Sequence, residues 1–186
     1  MKKLLLVTTL FASSALLPAF AADYKIDHEG AHASINIKAS HLGFSVLTGR
    51  FNKFSGTFSY DENNISAAKI SVKVDTSSFD SNHAMRDKHV RSDDFLDVNK
   101  FAQATFISTK VTDQGNGKLA INGNFTLHGV TKPMTIDAVK VGEGSDPWGG
   151  YRLGFSGTAT ISMADFGFKQ DYGQVDLELH IEGIRQ

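Results

Sequence analysis

The sequence predicts an all-β fold, an antiparallel barrel of about eight strands with a short helical insertion near residues 80–97. Three observations predict it. Apolar and polar residues alternate with period two over much of the chain. Turn-forming residues divide the alternating runs at short intervals. One segment, 80–97, abandons the alternation for a charged pattern that suits a helix.

The chain opens MKKLLLVTTLFASSALLPAFAADYK. Lys2 and Lys3 form a positive head, residues 4–17 are uncharged and apolar, and Ala19 and Ala21 are the small residues a signal peptidase reads. Cleavage after Ala21 is expected. The rival is an uncleaved anchor, because the run carries no charge up to Asp23. Thr8, Thr9, Ser13, Ser14, Pro18 and the Ala-x-Ala ending favour removal. The expected location is a bacterial periplasm. The remaining residues, 22–186, suffice for one domain with its own core, which must stand without disulfides because the chain has no cysteine. Of 19 basic residues, loss of Lys2 and Lys3 leaves 17 against 20 acidic ones. That near-balance offers nucleic acid no electrostatic footprint.

Along the mature chain, Ala33, Ile35 and Ile37 alternate with Ser34, Asn36 and Lys38. SHLGFS at 40–45 breaks the phase and reads as a helical turn. DENN at 61–64 is a turn, after which Ala68, Ile70, Val72 and Val74 alternate with Lys69, Ser71 and Lys73. Asn116-Gly117 is a type I′ hairpin signal between a run ending near Thr112 and one starting at Lys118. Leu119, Ile121, Gly123, Phe125 and Leu127 then share one phase, GEGSDPWGG at 142–150 reads as a longer loop, and Tyr151, Leu153, Phe155, Gly157, Ala159 and Ile161 share another. The last run sets Val175, Leu177, Leu179 and Ile181 against Asp176, Glu178, His180 and Glu182. Each run presents one apolar and one polar face, and about eight such strands close without edges. An outer-membrane barrel alternates too, but it builds tyrosine and tryptophan girdles. Here 14 phenylalanines face 4 tyrosines and 1 tryptophan, and the polar faces carry the lysines and carboxylates of a surface in water.

Residues 80–97, DSNHAMRDKHVRSDDFLD, concentrate the reactive side chains. Asp80, Ser81 and Asn82 suit a helix N-cap, and Ser92 with Asp93 and Asp94 suits the start of a second short helix ending near Asp97. His83 and His89 are six apart, about 120° around a helix, so the His-x-x-x-His metal spacing is absent. His83 and Asp87 fit one face without a third ligand. There is no cysteine and no Gly-x-Ser-x-Gly elbow. A solvated helix explains most of the charge, with Lys88, His89 and Arg91 at the end that favours cations and Asp87–Arg91 as an i, i+4 pair. If the helix crosses the mouth of a barrel, Arg86, His89 and Arg91 are the candidates to meet a polar or anionic head group. His28, His32, His41, His128 and His180 are scattered, and each reads as structural.

Several long stretches in order carry a resemblance: ADYKID at 22–27, HLGFS at 41–45, GRFNKFSGTFSYD at 49–61, DSNHAMRDKHVRSDDF at 80–95, QATFISTKV at 103–111, GNFTLHGVTKPM at 123–134 and DPWGGYRLGFSG at 146–157. On these the chain resembles the YceI-like family of secreted bacterial proteins from Asp23 onward. The resemblance implies a lipocalin-like barrel whose apolar lumen holds a polyisoprenoid, an isoprenoid quinone, a fatty amide or a similar long amphiphile. It implies no catalysis and no cofactor.

The lumen residues expected from the apolar phase are Phe58, Ile70, Val72, Phe106, Phe125, Leu127, Met134, Ile136, Leu153, Phe155, Leu177 and Leu179. The expected function is a binding or carrier protein, with stress protection among its uses. The alternative is a lipid-modifying enzyme using His83, Asp87 or His89 as acid and base. The expected partner is the lipid; a membrane, a membrane enzyme and a second copy of the chain stay open as further ones.

Overall fold

In the computed structural model, which describes residues 21–186, the alternating runs form one antiparallel sheet of 11 strands. Residues 1–20 of the expected leader lie outside the described residues. The strands are β1 (Ala22–Ile26), β2 (Ser34–His41), β3 (Ser45–Phe51), β4 (Phe54–Tyr60), β5 (Lys69–Asp75) and β6 (Phe79–Asp80). After the helix α1 (Ala84–Arg91) come β7 (Gln103–Gly115), β8 (Lys118–Leu127), β9 (Val130–Ser145), β10 (Tyr151–Ser162) and β11 (Gln174–Arg185).

Pairing of β1 with β11 closes the sheet into a barrel of eight staves. Three staves are each built from two strands. β1 and β2 lie end to end along β11, from Tyr24↔Arg185 to Ile26↔Gly183 and from Ser34↔His180 to Ala39↔Val175. β3 and β4 lie end to end beside them, followed by β5 and the two-residue β6. The break in the first stave is a loop at 27–33, gathered by Asp27 Oδ1, which accepts from the Gly30 N–H at 2.8 Å. Each stave pairs with its neighbour in sequence, so the barrel is a meander, although β6 pairs with β3 alone among the described residues.

Turn chemistry sets the registers. Asn116 and Gly117 are both left-handed, at φ 55° and 75°, as the type I′ reading requires. Three local expectations are corrected. SHLGFS is not a helical turn but the tip of the β2–β3 hairpin, because Leu42 and Gly43 both take positive φ and the Phe44 N–H donates to His41 O at 2.9 Å. The loop at 142–150 is shorter than expected. β9 runs to Ser145, and the chain then reverses around Asp146 Oδ1, which accepts from the N–H groups of Trp148 and Gly150. Residues 93–96 are turns rather than a second helix, closed by bonds from Leu96 N to Val90 O and from Asp97 N to Ser92 O.

The inward phase is apolar, while the outward phase carries Lys25, Lys38, Lys73, Asp176 and Glu178. That is the reverse of a lipid-facing barrel. Aromatic rings pack across inward glycines. A Cβ at Gly123 would lie 2.4 Å from Phe106 Cζ and 2.6 Å from Ile107 O. Gly123→Ala is therefore expected to lower stability by about 1–3 kcal/mol, as overpacking does. A urea midpoint equal to that of the parent would contradict the ring's placement.

Candidate ligand cavity

The inward side chains leave a cavity of about 130 Å³ at mid-height. Every stave contributes to its wall, and among the described residues Thr105 is its only lining residue with a polar side chain. On β5 the wall runs from Ile70 to Val74, about 13 Å at the strand rise. A dry apolar cavity of about this size accommodates a ring such as benzene. A long chain would therefore need Phe and Met side chains to repack and one end of the barrel to part.

Of the twelve expected lumen residues, ten line this cavity: Phe58, Ile70, Val72, Phe106, Phe125, Met134, Ile136, Phe155, Leu177 and Leu179. Leu127 and Leu153 do not. Both have the inward phase but the wrong height. Leu127 pairs with Val130 at the β8–β9 turn, and Leu153, 0% exposed, sits beside Gly183 in the opposite end. Ile35, Val74, Ile121, Ala138 and Ile181 also line the wall. Their shared phase with the named residues was the signal for them. Ile26 lines it too, from a strand of five residues, too short to display a period.

The two ends are closed differently. At one end the staves themselves close over Leu153, Val111 and Leu119, and Tyr24 stacks on Phe58 with ring centres 4.9 Å apart. Tyr60 meets Phe155 edge-on at 5.4 Å. Burial pushes the Tyr24 and Tyr60 hydroxyls above their ordinary pKa. At the other end the closure is made by connections. Phe79 and Leu96 bury themselves from the α1 side, and Phe166 from the β10–β11 side. These connections meet through surface contacts: Lys169 Nζ lies 3.1 Å from Asp93 and 3.2 Å from Asp94, and Phe95 stacks on Tyr172 at 4.6 Å.

The charged segment turns inward on itself. The N-cap of α1 is His83, not Asp80, Ser81 or Asn82; its Nδ1 accepts from the Arg86 N–H at 3.2 Å. Asp87, 6% exposed, accepts from the Ser81 N–H at 2.9 Å and from the Ser81 hydroxyl. It does not pair with Arg91. Arg86 donates to Ser81 Oγ and Ser81 O, both at 2.7 Å, and Arg91 donates to Phe79 O at 2.7 Å. His89 faces Asp94 at 3.6 Å and the edge of Phe95. Arg86, His89 and Arg91 are outside the cavity wall, and the two guanidinium groups already hold the β6–α1 turn. His83, Asp87 and His89 are each engaged separately rather than aimed at a common point. Asp87→Ala is expected to cost about 1–2 kcal/mol by leaving the half-buried Ser81 N–H without its acceptor. A thermal midpoint unchanged from the parent would contradict this.

A second cluster lies on the outer face, and sequence reasoning missed it. Arg152 Nη1 donates to Asp27 Oδ2 and to Glu182 Oε1, both at 2.5 Å, while its Nε donates to Asp146 Oδ2 at 2.7 Å. His32 Nδ1 lies 2.9 Å from Asp27 Oδ2, and the Trp148 ring centre lies 5.2 Å from the guanidinium carbon. Asp27, His32 and Glu182 have metal-ligand spacing. Arg152 already stands between the two carboxylates, however, so their charge is met and the group works as a staple. It ties the 27–33 loop and the β9–β10 turn to β11. Of its parts, the sequence offered only the loop at 142–150 that holds Asp146.

A model of the YceI-like domain family matches residues 24–183. The chain is 61% identical over 192 residues to a UPF0312 protein of Shewanella sp. (strain ANA-3), covering 100% of both chains. Its structure resembles the Campylobacter jejuni YCEI protein with a TM-score of 0.72 and 26% identity, over 80% of this chain and 91% of that one. It also resembles a polyisoprenoid binding domain from Saccharophagus degradans, implicated in plant cell wall breakdown, with a TM-score of 0.64 and 13% identity over 90% and 100% of the two chains.

Proposed function

Because the chain belongs to the YceI-like domain family, we propose that its barrel binds one long apolar amphiphile, a polyisoprenoid, isoprenoid quinone or fatty amide, and carries it without chemical change. The observation behind this reading is the cavity wall, which all eight staves build from apolar side chains. The polyisoprenoid named for the Saccharophagus domain suits such a wall. Each methylene removed from water contributes about 0.8 kcal/mol. A long prenyl tail thereby exceeds on paper the roughly 18–21 kcal/mol ceiling of known complexes, and the ordering of the chain and the opening of the barrel offset the excess. The export expected from the leader fits a carrier working in the periplasm, between two membranes.

The test compares a long-tailed ubiquinone with its tail-less analogue. Delipidated protein is incubated with each, separated by gel filtration and extracted. The tailed quinone is expected to co-elute with the protein, one per chain and chemically unchanged, and the tail-less one to elute alone. Equal retention of both, or of neither, would contradict binding by the tail. Recovery of an altered quinone would favour the acid–base alternative.

A further inference from the structure

Three large apolar side chains stand in the open at the tip of the β2–β3 hairpin. Leu42, Phe44 and Val46 are 78%, 85% and 63% exposed. Leu42 also holds a left-handed backbone, φ 54°, ahead of Gly43 at φ 78°. Turns of this shape favour Asn, Asp or Gly, and the corresponding position is Asn116 in one other hairpin here and His128 in another. An aliphatic residue at this place is disfavoured sterically and exposes its side chain. It therefore does nothing for the fold of the isolated chain.

The position of the tip gives it a use. β2 leaves β11 at Ala39↔Val175, so residues 40–46 project beyond the end where the β10–β11 connection begins. That is the end closed by connections and by the surface contacts of Lys169 and Tyr172. It is the end that parts most easily, since opening the other would break staves. Ile35, on the same strand as the tip, lines the cavity.

We propose that this tip docks the barrel on a lipid bilayer, with Leu42, Phe44 and Val46 entering the interfacial layer so that the parting end faces the lipid. The inference rests on the lipid-binding reading of the lumen and adds the surface through which lipid is exchanged. The hairpin itself presents no carboxylate to a bilayer. β2, β3 and their turn carry Lys38, His41 and Arg50. Lys38 is met by Glu178 of β11, and Arg50 lies opposite Asp80 of β6. His41 sits at the base of the turn. Area argues against a second copy of the chain. Three side chains of at most about 150–250 Å² each fall short of the ~800 Å² per partner that a stable protein interface buries. A shallow insertion into a bilayer needs no more than this.

The test is flotation of the purified protein with vesicles of phosphatidylethanolamine and phosphatidylglycerol, compared with Leu42→Asn/Phe44→Ser. Asparagine suits the left-handed position, so the variant's melting temperature is expected to equal or exceed that of the parent. The parent is expected to float, and the variant's bound fraction to fall at least about tenfold, the equivalent of one such side chain left unburied. A parent that stays with the soluble fraction overturns the proposal. So does equal flotation of both, and so does a parent that sediments as a dimer which the variant dissolves without either floating. Uptake of long-tailed ubiquinone from detergent micelles is measured on both proteins alongside. Equal uptake with unequal flotation supports docking by the tip. Flotation lost in the variant while neither protein takes up quinone still supports docking, and counts against the lumen reading alone.

Discussion

Val72→Phe combined with Leu179→Phe is expected to abolish uptake of a long-tailed quinone. Both side chains line the cavity from opposite parts of the wall, Val72 beside Phe106 of β7 and Leu179 beside Gly157 of β10. Two added rings would fill most of a space of about 130 Å³. Filling a void differs from inserting a charge: the new atoms gain apolar contacts, so stability is expected to change by no more than about 1–3 kcal/mol in either direction. That separates loss of binding from loss of folding. Thr158→Phe is the control, since Thr158 lies on the outward phase opposite Glu178 and is exposed. It is expected to bind like the parent. A filled barrel that still takes up one quinone per chain would remove the ligand from the lumen.

Arg152→Ala is expected to cost about 3 kcal/mol. Removing one partner from a desolvated charge cluster leaves the others uncompensated, and here Asp27, Asp146 and Glu182 would all face one another without their cation. The pH dependence follows from the same contacts. The hydrogen bond from Arg152, followed by that from His32, holds the Asp27 carboxyl well below the usual carboxylate range. The Arg152 hydrogen bond, followed by the Gly150 N–H, lowers Asp146. Both pKa values are lower folded than unfolded, so the unfolded chain binds protons first as pH drops. Their contribution is complete above the unfolded value near pH 4 and is lost as pH falls below it. The thermal midpoint of the parent should decline steeply below about pH 4, and that of Arg152→Ala should start lower and decline less. Parallel curves for the two proteins would contradict the staple.

Much of the lumen was legible because a strand's side-chain period is two, and phase alone sorts inward from outward. Phase says nothing about height along the barrel. Leu153 and Phe155 share a phase, yet Leu153 lies in the closed end while Phe155 lines the cavity. The breaks that split three staves were not legible either. They depend on contacts distant in sequence, such as Asn52 N to Ser78 O and Asp75 N to Lys53 O. The same holds for Arg152, whose partners at 27, 146 and 182 meet only once β1, β9, β10 and β11 are assembled. Residues 80–97 advertised their chemistry most strongly, and most of it is internal to the segment. Charge density in a sequence marks groups that need partners, and Asp87, Arg86 and Arg91 find theirs within twelve residues.

The central claim is that the lumen is a ligand site rather than packed core. Native mass spectrometry of the protein, purified in mild buffer from the cells that make it and then extracted with organic solvent, tests it most directly. A discrete added mass that leaves with the solvent and is identified as an isoprenoid or fatty derivative is the expected result. A clean protein mass that persists after incubation with quinones, polyprenyl phosphates and fatty amides would contradict the account and make the barrel interior ordinary core.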